Sequence, residues 1–200
     1  IPDKLPKQGF CIKDYHKVGN DKKILLHFGS LSDRKGTLEI IESLFDLSED
    51  LSKSIYLLII GKAKPAFKNK IVDKIKKLKF ENPHIDIDYR DKFVSSIEMK
   101  SYFQQSDFLL IPYKNIESSS GILGNAIAAN TPVLSVGKGL IEDIVLKYEA
   151  GILVEDATPS SIKNGIVLLM EKSFNTFHNQ KFISARKPKK FAKTLLFVDK

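Results

Sequence analysis

Two hundred residues suffice for one α/β domain with a sizeable core and fall short of two large ones. A hydrophobic fraction of 42% and a charged fraction of 28% exclude a disordered or fibrous chain, and no apolar run approaches the roughly 20 residues of a membrane helix. The net charge of +8 sits at the two ends: residues 1–23 carry +3, residues 186–200 carry +5, and residues 24–185 sum to zero. The body of the chain therefore lacks the electrostatic footprint of a nucleic-acid binder, and no aromatic-interleaved basic stripe replaces it. Cys11 stands alone, which rules out an internal disulfide framework, and the histidines at 16, 27, 84 and 178 form no metal-ligand cluster. A reducing, cytoplasmic setting fits. There is no signal peptide, and the opening Ile1-Pro2-Asp3 reads as a start inside a longer polypeptide.

From Lys22 onward, short apolar runs alternate with amphipathic stretches. Lys23–Phe28 is strand-like and ends in the turn signal Gly29-Ser30; residues 35–47 follow with Leu38, Ile41, Leu44 and Phe45 at helical spacing. Ile55–Ile60 is a buried strand closed by Gly61. After Pro65 comes a basic helix in which Phe67, Ile71, Ile75 and Leu78 form an apolar stripe and the lysines occupy the solvated faces. Residues 85–89 alternate apolar and acidic side chains, as a strand with one poorer face does. The start Ser95-Ser96-Ile97-Glu98 gives the helix over 95–105 a capping box. Phe108–Ile111 is a strand stopped by Pro112, 120–130 a small-residue helix, 132–136 a strand and 139–148 a short helix. A last strand spans 152–155, and a helix spans 159–172 with Thr158 as its N-cap.

Strands apolar on both faces, joined by crossover helices, imply a parallel sheet covered on both sides. About six β-α units are too few for a barrel, so the expected fold is a Rossmann-like, doubly wound sheet of about six strands. Residues 22–172 form that domain, 1–21 read as an extension or interdomain connection, and 173–200 as one or two terminal helices separated near Pro188.

In such a sheet, ligands bind beyond the carboxyl ends of the strands. Two exit loops are unusual. In the first, Gly29-Ser30-Leu31-Ser32-Asp33-Arg34-Lys35-Gly36, a glycine turns the chain sharply, and Arg34 and Lys35 open a helix whose free amides favour an anion. It is neither a Rossmann glycine fingerprint nor a P-loop. Taken alone, it is also compatible with a plain glycine turn and a solvated basic pair. In the second, Pro112-Tyr113-Lys114-Asn115-Ile116-Glu117-Ser118-Ser119-Ser120-Gly121, three serines and a glycine offer hydroxyls and bare amides to a phosphate, and Glu117 can accept from sugar hydroxyls. An ordinary serine N-cap is the alternative there.

At these two loops the sequence resembles the carboxy-terminal, donor-binding domain of the retaining GT-B glycosyltransferases of the glycosyl transferases group 1 type. The matching residues are Gly29-Ser30-Leu31 with Lys35-Gly36, then Leu109-Leu110-Ile111-Pro112, Glu117, Gly121, Asn125-Ala126 and Thr131-Pro132-Val133. Asp107 and Ala150-Gly151-Ile152-Leu153-Val154 also match. The resemblance covers residues 22–172 and implies transfer of a sugar from a nucleoside-diphosphate sugar with retention, no metal and no further cofactor.

It further implies that Lys35 contacts the donor diphosphate and that Glu117 holds donor-sugar hydroxyls, the two being the catalytic candidates. Gly29, Ser30, Arg34, Ser118, Ser119, Ser120 and Gly121 would surround the phosphates, Phe93 and Val94 the base, and Asn125 the ribose. Ser30 stands where the family has an arginine, and Asn125 where it has a second glutamate. An amino-terminal domain of the whole protein would bring a glycan or lipid-linked acceptor, with peripheral contact at the inner membrane face left open. The rival readings are a donor-binding module without turnover, a GT-B epimerase, and a basic α/β domain binding nucleic acid through its ends.

Overall fold

The computed structural model describes residues 10–114, 121–174 and 179–185. Six apolar segments form the strands: β1 (Lys23–Phe28), β2 (Ile55–Ile60), β3 (Asp86–Arg90), β4 (Phe108–Ile111), β5 (Val133–Val136) and β6 (Gly151–Val154). All neighbours pair in parallel in the order β3-β2-β1-β4-β5-β6, so the expected doubly wound sheet is the one that forms.

Strand residues alternate between two cores. Ile24, Leu26, Leu58, Ile60, Leu109 and Ile111 enter one; Leu25, Leu57, Ile59, Leu110 and Leu134 enter the other. The first core is closed by α1 (Ile12–His16), α5 (Ser96–Gln105), α6 (Gly121–Ala129), α7 (Gly139–Lys147) and α9 (Asn179–Ala185). The second is closed by α2 (Thr37–Glu42), α3 (Glu49–Lys53), α4 (Pro65–Glu81) and α8 (Pro159–Glu171). Among the described residues, no helix is long and apolar enough to cross a membrane.

Local rules set the helix starts. The Ser95 hydroxyl accepts from the Glu98 N–H at 3.2 Å, and the Glu98 carboxylate accepts from the Ser95 N–H at 2.8 Å, completing the capping box. Thr158 caps α8 through the Ser161 N–H.

Several stretches differ from the sequence expectation; the last strand, expected at 152–155, runs Gly151–Val154, in register with Val133–Val136. The single helix over 35–47 is replaced by a 3-10 turn (Asp33–Lys35), Gly36 at φ 71°, and the short α2. The Ser43 hydroxyl bonds back to the Ile40 carbonyl at 2.7 Å, and the chain then turns, so Leu44 and Leu47 reach the second core outside a helix. α3 follows, capped by Ser48. The strand expected at 85–89 runs one residue later, because Asp86–Arg90 pairs in register with 56–60 of β2. Helix α1 was not legible at all. Its His16 is buried, with Nδ1 2.7 Å from Asp88 Oδ2 on β3 and Nε2 3.1 Å from the Tyr102 hydroxyl on α5. The Tyr56 hydroxyl donates to the His16 carbonyl. The separation near Pro188 lies outside the described residues.

The ends of β1 and β2 nearly touch. The Gly29 N–H donates to the Ile60 carbonyl, and a Cβ on Gly61, at φ 153°, would lie 1.6 Å from the Gly29 carbonyl oxygen. Gly61→Ala should therefore lower the unfolding free energy by about 3 kcal/mol or more, as a backbone clash without relief. Urea denaturation reads this directly; an unchanged midpoint would show that the strand ends separate at no cost.

Candidate functional site

The sheet order reverses between β1 and β4, so the loops that leave these strands meet at a crevice beyond their carboxyl ends. The first candidate loop lies there, as do the described ends of the second, residues 112–114 and Gly121. Two glycines of the first loop allow the close approach. A Cβ on Gly29 would lie 2.8 Å from Ile122 Cδ1 in the first turn of α6, and a Cβ on Gly36 would lie 2.4 Å from the Pro112 carbonyl oxygen. The Lys114 N–H donates to the Arg34 carbonyl at 2.9 Å, sealing the two loops backbone to backbone.

This contact places Lys35. Its Nζ stands 3.6 Å from the centre of the Tyr113 ring, which is itself buried. Burial of the amine, and then the charge of Arg34, push its pKa down from 10.5 to about 8. Lys35 thus remains a cation at neutral pH while being poorly hydrated, the condition under which an incoming anion gains most.

Beneath Lys35 lies a polar element that the sequence reading did not assign. His27, fully buried in β1, has Nδ1 2.8 Å from the Leu110 carbonyl on β4 and Nε2 2.9 Å from the Thr37 hydroxyl on α2. A carbonyl only accepts, so Nδ1 carries the proton and Nε2 accepts from the hydroxyl. Burial, opposed by the Leu110 bond and reinforced by the Lys35 charge, pushes the His27 pKa down to about 4. The neutral ring cross-links β1, β4 and α2 directly below the crevice. A histidine directly after the aliphatic run Ile24-Leu25-Leu26 was the available signal.

The remaining candidates are distributed around this centre. Ser30 and Arg34 are exposed on the first loop. Gly121, at the start of α6, is exposed with open space where a Cβ would project. Phe93 is 81% exposed beyond the carboxyl end of β3, two strands from β1, while Val94 packs against the core. Asn125 lies one turn into α6 and lines a narrow groove with Met99, Lys100, Phe103 and Gln104 of α5. Glu117, Ser118, Ser119 and Ser120 lie outside the described residues.

On the α2 side, Glu39, Tyr113, Lys114, Lys138 and Thr158 line a hollow of about 380 Å³ at the carboxyl ends of β4 to β6. A larger one of about 630 Å³, between α3 and α8, is at the opposite end of the sheet and holds none of the candidate residues. Among the described residues, no group of three or more His, Cys, Asp or Glu is placed to hold a metal.

The family model described as Glycosyl transferases group 1 matches residues 12–190. The chain belongs to that family. It is 29% identical over 178 residues to an uncharacterized glycosyltransferase, MJ1069, of Methanocaldococcus jannaschii, covering 83% of this chain and 43% of that protein. The chain thus spans less than half the length of this curated relative. The fold is similar to that of the C-terminal domain of the group 1 glycosyltransferase LpcC from Francisella tularensis, at a TM-score of 0.65 and 20% identity, over 96% of this chain and 95% of that domain. It is also similar to Anabaena HepE, solved in complex with UDP and glucose, at a TM-score of 0.70 and 17% identity, over 93% and 51% of the two chains. The resemblance read from the glycine, lysine and proline motifs is thereby placed on the fold of GT-B glycosyltransferases.

The His27 cross-link makes stability depend on pH. Between pH 6.5 and about 4 the unfolded chain takes up a proton at this ring that the native ring refuses, so stability falls as pH falls through that window and levels below it. The loss attributable to His27 is about 3 kcal/mol. In His27→Gln, urea midpoints measured across the same window should show a correspondingly shallower decline; an unaltered slope would assign the acid sensitivity elsewhere.

Proposed function

We propose that this domain is the donor-binding half of a glycosyltransferase that moves a sugar from a nucleoside-diphosphate sugar to a glycan or glycolipid acceptor, with anomeric configuration retained. The observation that carries the reading is Lys35, a half-buried cation fixed over Tyr113 at the crevice where the sheet order reverses. Family membership supports a transferase, and the UDP and glucose bound by HepE support the class of donor.

In this reading Lys35 stabilises the charge that grows on the departing diphosphate, a task for a cation already in place and already stripped of part of its water. Arg34, exposed beside it, adds a second charge at longer range. The start of α6, with Gly121 and Ser118 to Ser120, completes the cradle for the phosphates. Glu117 takes donor-sugar hydroxyls, Asn125 the ribose, and the chain at Phe93 and Val94 the base. An acceptor-binding domain would orient the attacking hydroxyl and exclude water, effects that convert binding into rate. The domain by itself binds a nucleoside diphosphate weakly and does not turn over.

Isothermal titration with UDP tests this. Binding should be measurable and should weaken by about tenfold between about pH 7 and 9, where the diphosphate stays ionised and Lys35 loses its proton. Lys35→Met should weaken binding by about tenfold to a hundredfold, the worth of one charge-assisted hydrogen bond, and should flatten the pH dependence. No binding at millimolar UDP, or a pH dependence untouched by Lys35→Met, would sink the assignment.

A further inference from the structure

Three cations, Arg34, Lys35 and Lys114, crowd the crevice, and the structure gives them different tasks. The Lys114 ammonium lies 2.7 Å from Glu39 Oε1 and 3.1 Å from each carboxylate oxygen of Asp33. An ammonium has three protons, and three carboxylate oxygens surround this one, so it has nothing left to offer a phosphate. Its two partners lie on either side of Lys35: Asp33 opens the 3-10 turn that ends at Lys35, and Glu39 is in the first turn of α2. The backbone of Lys114 is tied as well, through its N–H to the Arg34 carbonyl. Tyr113, on which the Lys35 amine rests, is the residue before it.

We propose that Lys114 is a positioning residue of the diphosphate site: bound to Asp33 and Glu39, it holds the 33–36 turn against the β4 exit and so keeps the Lys35 amine over Tyr113. The two carboxylates contribute unequally. The Asp33 side chain is 71% exposed, and an ion pair in that setting is weak by itself. The Glu39 side chain is only 16% exposed, and its Oε2 is buried with no hydrogen-bond partner. Its charge is compensated by Lys114 and would be left bare without it. Glu39 thus fixes the ammonium, and Asp33 transmits that fix to the turn.

The ligand part of this inference rests on the donor-binding reading; the part concerning the Lys35 environment does not. The test therefore has two readouts on the 200-residue chain: the titration of the Lys35 amine by NMR without ligand, and UDP affinity by calorimetry. In Lys114→Met the Lys35 amine, released from its cover, should titrate clearly above the value of about 8 it has in the unsubstituted chain, and UDP binding should weaken by about tenfold. Lys114→Arg, which keeps the charge and can bridge two carboxylates, should restore both. Asp33→Ala removes only an exposed carboxylate, keeps the fold, and should move both readouts in the same direction by less; it decides the matter if Lys114→Met does not fold. A Lys35 titration unchanged in a folded Lys114→Met or in Asp33→Ala, whatever happens to thermal stability, overturns the proposal. Absence of UDP binding by the unsubstituted chain would remove the donor-binding reading, while the Lys35 titration would still decide the role of Lys114.

Discussion

Between β1 and β4 the crossover connections part to opposite faces of the sheet, α2 to one side and α6 to the other, and the carboxyl ends of these two strands are left without a covering helix. Every feature of the candidate site depends on that gap. A peptide at a strand end presents amides and carbonyls that no further strand residue will pair, and they must find loops, side chains or ligand. Here the loops satisfy part of the demand by approaching one another more closely than a side chain permits. Gly36 meets the Pro112 carbonyl and Gly29 meets Ile122, so the two exit loops behave as one body. The Lys-Gly pair of the sequence is explained by this contact. The lysine supplies charge at the crevice, and the glycine, at φ 71°, allows the chain that carries it to touch the neighbouring loop.

Much of the fold was legible because it follows from short-range pattern. Six residues of unbroken aliphatic and aromatic character, as in Ile55–Ile60, have no stable place except between two covered faces, and β2 is buried along its whole length. Ser95 with Glu98, and Thr158 before Pro159, marked helix starts that the hydrogen bonds reproduce. The 35–47 helix failed for a local reason outweighed in the reading by periodicity: Gly36 sits where the helix would have begun, and it takes a left-handed conformation. Helix α1 was illegible for a different reason. Five residues have too little intrinsic helicity to show in a pattern, and α1 is held by partners such as Asp88, 72 residues away in sequence.

The site divides along the same line. Gly29, Lys35 and the α6 start could be found because strand-exit loops are few and basic or glycine-rich ones fewer. His27, Glu39 and Lys114 could not be assigned, because each gains its meaning from a partner on another loop: Lys114 meets Asp33 across 81 residues, and His27 meets Leu110 across 83. Sequence shows a lysine between a proline and a glutamate. Only the fold shows that its charge is already neutralised by two carboxylates.

That neutralisation bears on how a small site keeps one usable cation. Like charges depress one another, and the crevice holds Lys35 beside Arg34 and above His27. His27 is kept neutral by burial and, in addition, by the Lys35 charge. Lys114 is kept from adding to the repulsion by Asp33 and Glu39. Among the described residues, Lys35 is the crevice cation that is desolvated without a carboxylate partner, and even so its pKa falls only to about 8, which leaves it charged at neutral pH. A further guanidinium at position 30, where this chain carries Ser30, would press that value lower still unless an anion were already present. A serine there leaves the charge of Lys35 less opposed than a cation at that position would. The electrostatic work at the crevice then falls on Lys35, and the geometry that fixes its amine acquires a weight that a site with several free cations would not place on any one of them.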